Sequence, residues 1–200
     1  MKVIQTVRKP IRRPIRTALA VLAVAAVPAG AVAVPAVAGA SASATSTTQC
    51  AKGWGSLPEA KTRVSTATLT AVRTGRHACF DRLVFDLTGR PTGYRAEYVS
   101  NVFRAGAGHL VPLRGGAKLE IMVAAAELDA SGHRTFNRTD DAEVTSVAGY
   151  RTFRQVAGAG TNGGAQWFGV GLRARLPFRV FTLAGPGAGS RIVVDVAHTW

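Results

Sequence analysis

Two stretches of the chain carry an aspartate at the same place. Asp86 stands in DRLVFDLTG (81–89) and Asp195 in SRIVVDVAH (190–198), each four residues after an arginine, Arg82 and Arg191. A pair of positioned carboxylates is one way to build acid–base catalysis. The competing reading is that the two stretches are the trace of a fold made of two similar halves. The rest of the catalytic inventory is thin. None of the four histidines, His77, His109, His133 and His198, has a second histidine or a carboxylate at metal-ligand spacing. No G-x-S-x-G elbow occurs, since GAGSRIV and GWGSLPE break the pattern. DASGH (129–133) starts like a calcium loop but lacks the later ligands. A triad gathered from distant residues stays open in principle, but no catalytic residue, metal or cofactor is assigned.

Binding chemistry has more material. In AQWFGVGLRARLPF (165–178), alternation sends Phe168, Val170 and Leu172 to one face. Trp167, Gly169, Gly171 and Arg173 take the other. A tryptophan beside two positions without side chains makes a shallow trough with an aromatic wall, on which the C–H face of a sugar can stack. Arg175 or Arg179 could then hold a carboxylate. The alternative is that Trp167 covers the glycines itself. Tyr94 and Tyr98 form a second aromatic pair on one strand face, a pattern more typical of packing.

These residues sit in a chain with a marked beginning. Residues 1–17 carry six basic residues and no acidic one, residues 18–40 are uncharged and rich in Ala and Val, and Ala38-Gly39-Ala40 closes the run. That is the layout of a signal peptide over residues 1–40. A retained anchor is the alternative, although Pro28, Gly30, Pro35 and Gly39 interrupt the span. Arg12-Arg13 only hints at twin-arginine export, because Pro14 follows. SASATSTTQ (41–49) reads as a disordered spacer, and residues 50–200 as one domain.

Beyond the leader lie 19 of the 25 basic residues and all 11 acidic ones, a net of +8, and 16 of those 19 are arginine. Such a chain is drawn to anionic polymers, although solubility alone also favours net charge. The arginines are spread out rather than run together, which speaks against a nucleic-acid arm. Cys50 and Cys79 are the only cysteines, and an even count in an exported chain reads as one disulfide.

The segments that must position all this are strands. VSTATLTAV (64–72), DRLVFDL (81–87), GYRAEYVSNVF (93–103), Leu110–Leu113 and KLEIMVA (118–124) alternate or are rich in β-formers. So do residues 150–156, 166–173, 178–183 and 191–198. GAGTNGG (158–164) and GPGAGS (185–190) read as glycine turns, and 127–143 as the longest loop. A turn or two of helix is expected at most near 124–128. Eight or nine short strands predict an all-β fold, an antiparallel β-sandwich or barrel.

The aspartate repeat then acquires a meaning. Arg82 and Asp86 lie roughly 13 Å apart along one strand and cannot pair with each other. Antiparallel pairing with Val84 opposite Val193 sets Arg82 against Asp195 and Asp86 against Arg191. Parallel pairing would oppose like charges. The pattern predicts two similar halves and two structural ion pairs, coincidence between two amphipathic strands being the alternative.

Taken together, CAKGWGS (50–56), HACFDRLVFDLTG (77–89), GYRAEYV (93–99), GVGLRARLPFRVFTL (169–183) and RIVVDVAH (191–198) resemble the AMIN-like domain of exported actinobacterial proteins. AMIN domains proper are β-sandwiches that localise envelope proteins such as cell-wall amidases and secretins, with peptidoglycan as their proposed ligand. The resemblance therefore implies a sandwich and an envelope setting, and it brings no catalytic residues. The cysteine pair departs from the AMIN pattern, as does the lack of a catalytic or secretin module. The resulting expectation is a secreted or envelope-bound, non-catalytic domain. It binds peptidoglycan or an anionic wall polymer through Trp167, Arg173, Arg175 and Arg179. The alternative is a protein-interaction module, an adaptor or inhibitor with an envelope protein as partner. No specific nucleic acid is expected, and contact with a membrane only through an uncleaved leader.

Overall fold

The computed structural model describes Cys50 and residues 53–200. The expected signal peptide and spacer lie outside the described residues. Eleven strands follow one another: β1 (Glu59–Lys61), β2 (Leu69–Arg76), β3 (Phe80–Leu87), β4 (Tyr94–Val99), β5 (Val102–Phe103), β6 (Leu110–Val111), β7 (Ala117–Val123), β8 (Phe153–Asn162), β9 (Ala165–Leu172), β10 (Phe178–Ala184) and β11 (Ser190–Ala197). No helix occurs among the described residues.

The strands form two antiparallel sheets, β10-β11-β3-β2 and β1-β4-β7-β9-β8, with β5 and β6 as a separate small hairpin. Alternation explains the layering. Leu83, Phe85 and Leu87 of β3 and Ile192, Val194 and Val196 of β11 point into one core with Leu119, Ile121, Phe168 and Val170 of the other sheet. Phe85 and Phe168 meet across it, ring centres 4.9 Å apart. Tyr94 and Tyr98 belong to this packing. The Tyr94 hydroxyl donates to the Val180 carbonyl of β10 at 3.2 Å, which ties the second sheet to the first, and that of Tyr98 donates to the Leu176 carbonyl in the β9–β10 connection at 2.7 Å.

β3 and β11 pair antiparallel at the centre of the first sheet, with Val84 opposite Val193, Arg82 opposite Asp195 and Asp86 opposite Arg191. Each sheet thus holds two hairpins joined through their second strands: β2–β3 with β10–β11, and β4–β7 with β8–β9. The halves are similar in hairpin content but not in chain order. The first half runs from the first sheet to the second, and the last half returns in the opposite order.

Several local expectations are corrected. Residues 64–68 are not strand, and β2 instead runs through Thr74-Gly75 to Arg76. Residues 93–103 break at Ser100-Asn101 into β4 and β5. Gly158 and Gly160 lie inside β8 rather than in a turn. Their lack of a side chain serves close approach, since a Cβ on Gly158 would meet Asp141 at 3.1 Å and one on Gly160 would meet Arg104 at 3.1 Å, and Gly160 also stands at positive φ. The turn itself is Gly163-Gly164, both at positive φ.

Both open sides of the sandwich are partly covered, which shortens the bare strand edges. On one side β1 pairs with β4. There the Val180 N–H donates to the Glu59 carboxyl at 2.9 Å, which burial pushes above its ordinary value against the pull of that bond. On the other side the long loop bonds to both edge strands, Ser146 and Thr135 to β2 and Val144 and Asp141 to β8. Arg138 and Arg104 both reach Asp141. Burial pushes the Asp141 carboxyl up, but the hydrogen bonds and charges of the two arginines outweigh it and hold it below its ordinary value. The folded loop therefore binds fewer protons there than the unfolded chain. This contribution is complete above the unfolded value and fades as pH falls below it. Asp141→Asn is expected to lower the urea midpoint at neutral pH and to flatten its decline in acid, read from denaturation curves between pH 7 and 3.

Candidate binding face

The outward face of the first sheet carries a cluster that begins from one register row. Arg179 of β10, Asp195 of β11 and Arg82 of β3 lie side by side across three strands. Arg82 donates from Nε at 2.6 Å and from a terminal nitrogen at 2.9 Å. Arg179 donates twice to one Asp195 oxygen, at 3.0 and 2.8 Å. Asp195 is fully buried beneath them, while the Arg179 side chain stays 43% exposed. Two guanidiniums share one carboxylate, so one positive charge is left over. On each guanidinium the second terminal nitrogen has no partner among the described residues.

Aromatic rings hold the two planes in place. The Arg179 guanidinium lies 4.2 Å from the Trp54 ring centre and 5.0 Å from that of Phe181. That of Arg82 lies 5.1 Å from Phe80 and 5.5 Å from Phe181. His77 stacks on Phe80 at 4.4 Å. Cation–π contacts of this kind are worth about 0.5–2 kcal/mol each, depending on how dry they are. Trp54 arrives by a tether. The Cys50–Cys79 disulfide, with Cα atoms 5.1 Å apart, anchors its segment beside β3. The Phe178 N–H then donates to the Gly55 carbonyl at 2.8 Å.

Of the four residues expected to touch a ligand, only Arg179 belongs to this face. Arg173 donates to the His198 carbonyl at 2.6 Å. Arg175 lies over Tyr98 at 4.8 Å and donates to the Ser56 carbonyl at 2.8 Å. Trp167 faces outward from the other sheet, packed on Val102, Val111, Ala157 and Ala159. Its trough is filled. A Cβ on Gly171 would lie 2.0 Å from the Arg114 carbonyl, and one on Gly169 2.8 Å from Leu113. Neither a sugar nor Trp167 covers those glycines; the chain leaving the β5–β6 hairpin does.

The second expected ion pair is also corrected. Asp86 stands opposite Arg191 but accepts instead from Arg73, at 2.5 and 2.8 Å. Arg191 turns to the Ala184 carbonyl, and its Nε is buried without a partner. Arg73 enters from β2, a strand the repeat says nothing about.

Sequence reasoning missed Trp54, Phe80, Phe181 and Arg73. Alternation in FRVFTL does carry the signal that Arg179 and Phe181 share a face. Trp54 carries none, because a disulfide and not a strand places it.

The first aspartate of the repeat region has its own use. Asp81 is buried and accepts from the Thr152 and Phe153 N–H groups at 2.6 and 3.1 Å, while its other oxygen lies 2.9 Å from His198 Nε2. His198 Nδ1 faces the Ala78 carbonyl at 3.2 Å. Both ring nitrogens are engaged, so the pair ties the two ends of the sheet region together and offers no free nitrogen for proton abstraction. Among the described residues no group of His, Cys, Asp and Glu is arranged to hold a metal.

The described residues thus form an antiparallel β-sandwich whose outer sheet face presents guanidiniums on aromatic rings. The family model of the AMIN-like domain matches residues 67–198, and the chain belongs to that family. Membership sets it among domains associated with the cell envelope, which in general bind rather than catalyse. The family and the disulfide both accord with an extracytoplasmic setting. No curated protein and no solved structure matches the chain.

Removing the shared carboxylate separates structural from superficial charge. Asp195→Ala strips two guanidiniums of their acceptor and is expected to cost about 3 kcal/mol. Asp86→Ala, whose partner Arg73 is mostly exposed, is expected to cost under about 1 kcal/mol. Urea denaturation of the two variants reads the contrast directly.

Proposed function

We propose that the chain is exported, with residues 1–40 as its signal peptide, and binds peptidoglycan or an anionic wall glycan through the outward face of β10-β11-β3. The observation that carries this reading is the pinning of Arg82 and Arg179 between one buried carboxylate and the rings of Trp54, Phe80 and Phe181. Sugar C–H faces stack on aromatic rings, and a guanidinium meets a carboxylate or phosphate as a planar fork. The platform offers both at once. Its surplus charge attracts the polymer, and its rings supply contact that salt does not screen. The binding role, rather than catalysis, follows the family and the locked state of the Asp81–His198 pair.

A second reading rests on a different observation. Phe103 and Leu110 stand opposite each other on the β5–β6 hairpin, and both are about half exposed. An exposed apolar pair of this kind suits a protein partner, and a packed interface responds little to salt.

Co-sedimentation of the purified protein with cell-wall sacculi tests the first reading, with and without teichoic acids, at low and at physiological salt. Retention at physiological salt is expected. It should weaken about fivefold in Trp54→Ala and in Arg179→Ala, in keeping with about 1 kcal/mol for a partly dry cation–π contact. Trp167→Phe should leave it unchanged. Retention that vanishes with modest salt, or that ignores Trp54 and Arg179, overturns the reading and turns attention to Phe103 and Leu110.

A further inference from the structure

The binding face does not end at Asp195. Four residues along both central strands, roughly 13 Å away, Arg191 of β11 stands opposite Asp86 of β3. This second end repeats the charge count of the first, two arginines and one carboxylate, although here only Arg73 pairs with Asp86 while Arg191 turns to the Ala184 carbonyl. Between the ends the floor is apolar: Val84 and Val193 face outward and are buried.

The second end lacks acceptors. Asp86 is taken up by Arg73, leaving the Arg191 Nε–H buried with nothing to donate to. The neighbouring Ser190 hydroxyl is also buried and unpartnered. A buried donor without an acceptor is destabilising, the more so when it is charged. At Ser190, next in the chain to Arg191, opens a recess of about 620 Å³, bounded by Arg73, Asp86, Ser190 and the Pro186–Gly189 turn. A bulge in β2 between Leu69 and Ala71 shapes its far wall.

We infer that the ligand of this face is a linear polyanion that spans both ends, and not a single sugar or a lone anion. Its negative groups meet Arg82 and Arg179 at one end and Arg73 and Arg191 at the other, across the Val84–Val193 floor. Each end carries one surplus positive charge, so a ligand reaching only one end gains half the attraction. A ligand reaching both gains the second contact as an intramolecular step. This inference rests on the binding face of the preceding section and adds the ligand's length and charge spacing.

The test is the length dependence of affinity, with galacturonate oligomers of increasing length as the carboxylate probe and linear polyphosphates as the phosphate probe. Quenching of tryptophan fluorescence or calorimetry at one fixed salt reads it. The expected result is a step of about a hundredfold at the length that first spans the two ends. Arg73→Gln and Arg191→Gln should remove the step while sparing the affinity of the shortest oligomer. Arg179→Gln should weaken every length. A step with only one probe identifies whether the polymer carries carboxylates or phosphates. Binding of short and long oligomers alike, or a step that survives both Arg73→Gln and Arg191→Gln, overturns the spanning ligand and leaves the one-ended face standing. Binding of no oligomer at any length, by variants and wild type that share the same urea midpoint, overturns the face as well.

Discussion

Asp195 lies fully buried on the side of a sheet that looks away from the core. A carboxylate cannot be taken from water at such a place unless charged donors replace the lost hydration. Arg82 and Arg179 do so from the two neighbouring strands, and that requirement fixes much else. A slip of one residue between β11 and either neighbour would turn a guanidinium to the opposite face. The register that satisfies Asp195 is therefore the same one that sends Leu83, Phe85, Ile192 and Val194 into the core. It also places Phe80 and Phe181 beside the two arginines.

The parts legible in the sequence are those in which a residue's neighbours follow from strand geometry. Alternation gave the two faces of β3 and β11, and charge complementarity gave their antiparallel register with Val84 opposite Val193. Glycines are ambiguous in the sequence, since their absence of a side chain serves two different ends. In Gly163-Gly164 it allows positive φ, while in Gly158, Gly169 and Gly171 it lets a covering segment lie against the sheet. Nothing in a single strand tells these apart. Arg173 and Arg175 look like ligand groups beside Trp167, yet their partners are carbonyls brought up by segments flanking the sandwich strands, at His198 and Ser56. Asp86 found Arg73 rather than Arg191 because a third strand competed for it, and pairwise reasoning over two strands leaves that out.

The family match begins at residue 67, so the segment that carries Cys50, Trp54 and β1 lies ahead of it. This segment touches both sheets. Gly55 bonds to Phe178 on the edge of the first, and β1 pairs with β4 on the edge of the second. One short stretch thus covers part of two strand edges and also delivers the ring that covers Arg179. Cys79, one residue before Phe80, binds it covalently at the place where the platform begins. The departure from the AMIN pattern noted in the sequence, the cysteine pair, is therefore tied to the aromatic wall of the face.

Pinning also bears on why the face uses arginine. A free lysine on a sheet surface loses much of its side-chain freedom when it meets an anion, and its ammonium presents a point charge. Arg82 and Arg179 have already lost that freedom on folding, each held along one edge by Asp195 and over its plane by a ring. What remains outward is a terminal nitrogen in a fixed direction. Binding then costs little further ordering, which is the advantage of a preorganised site. The cost is paid in charge, because Asp195 cancels one of the two positives. The face gives up long-range attraction for direction.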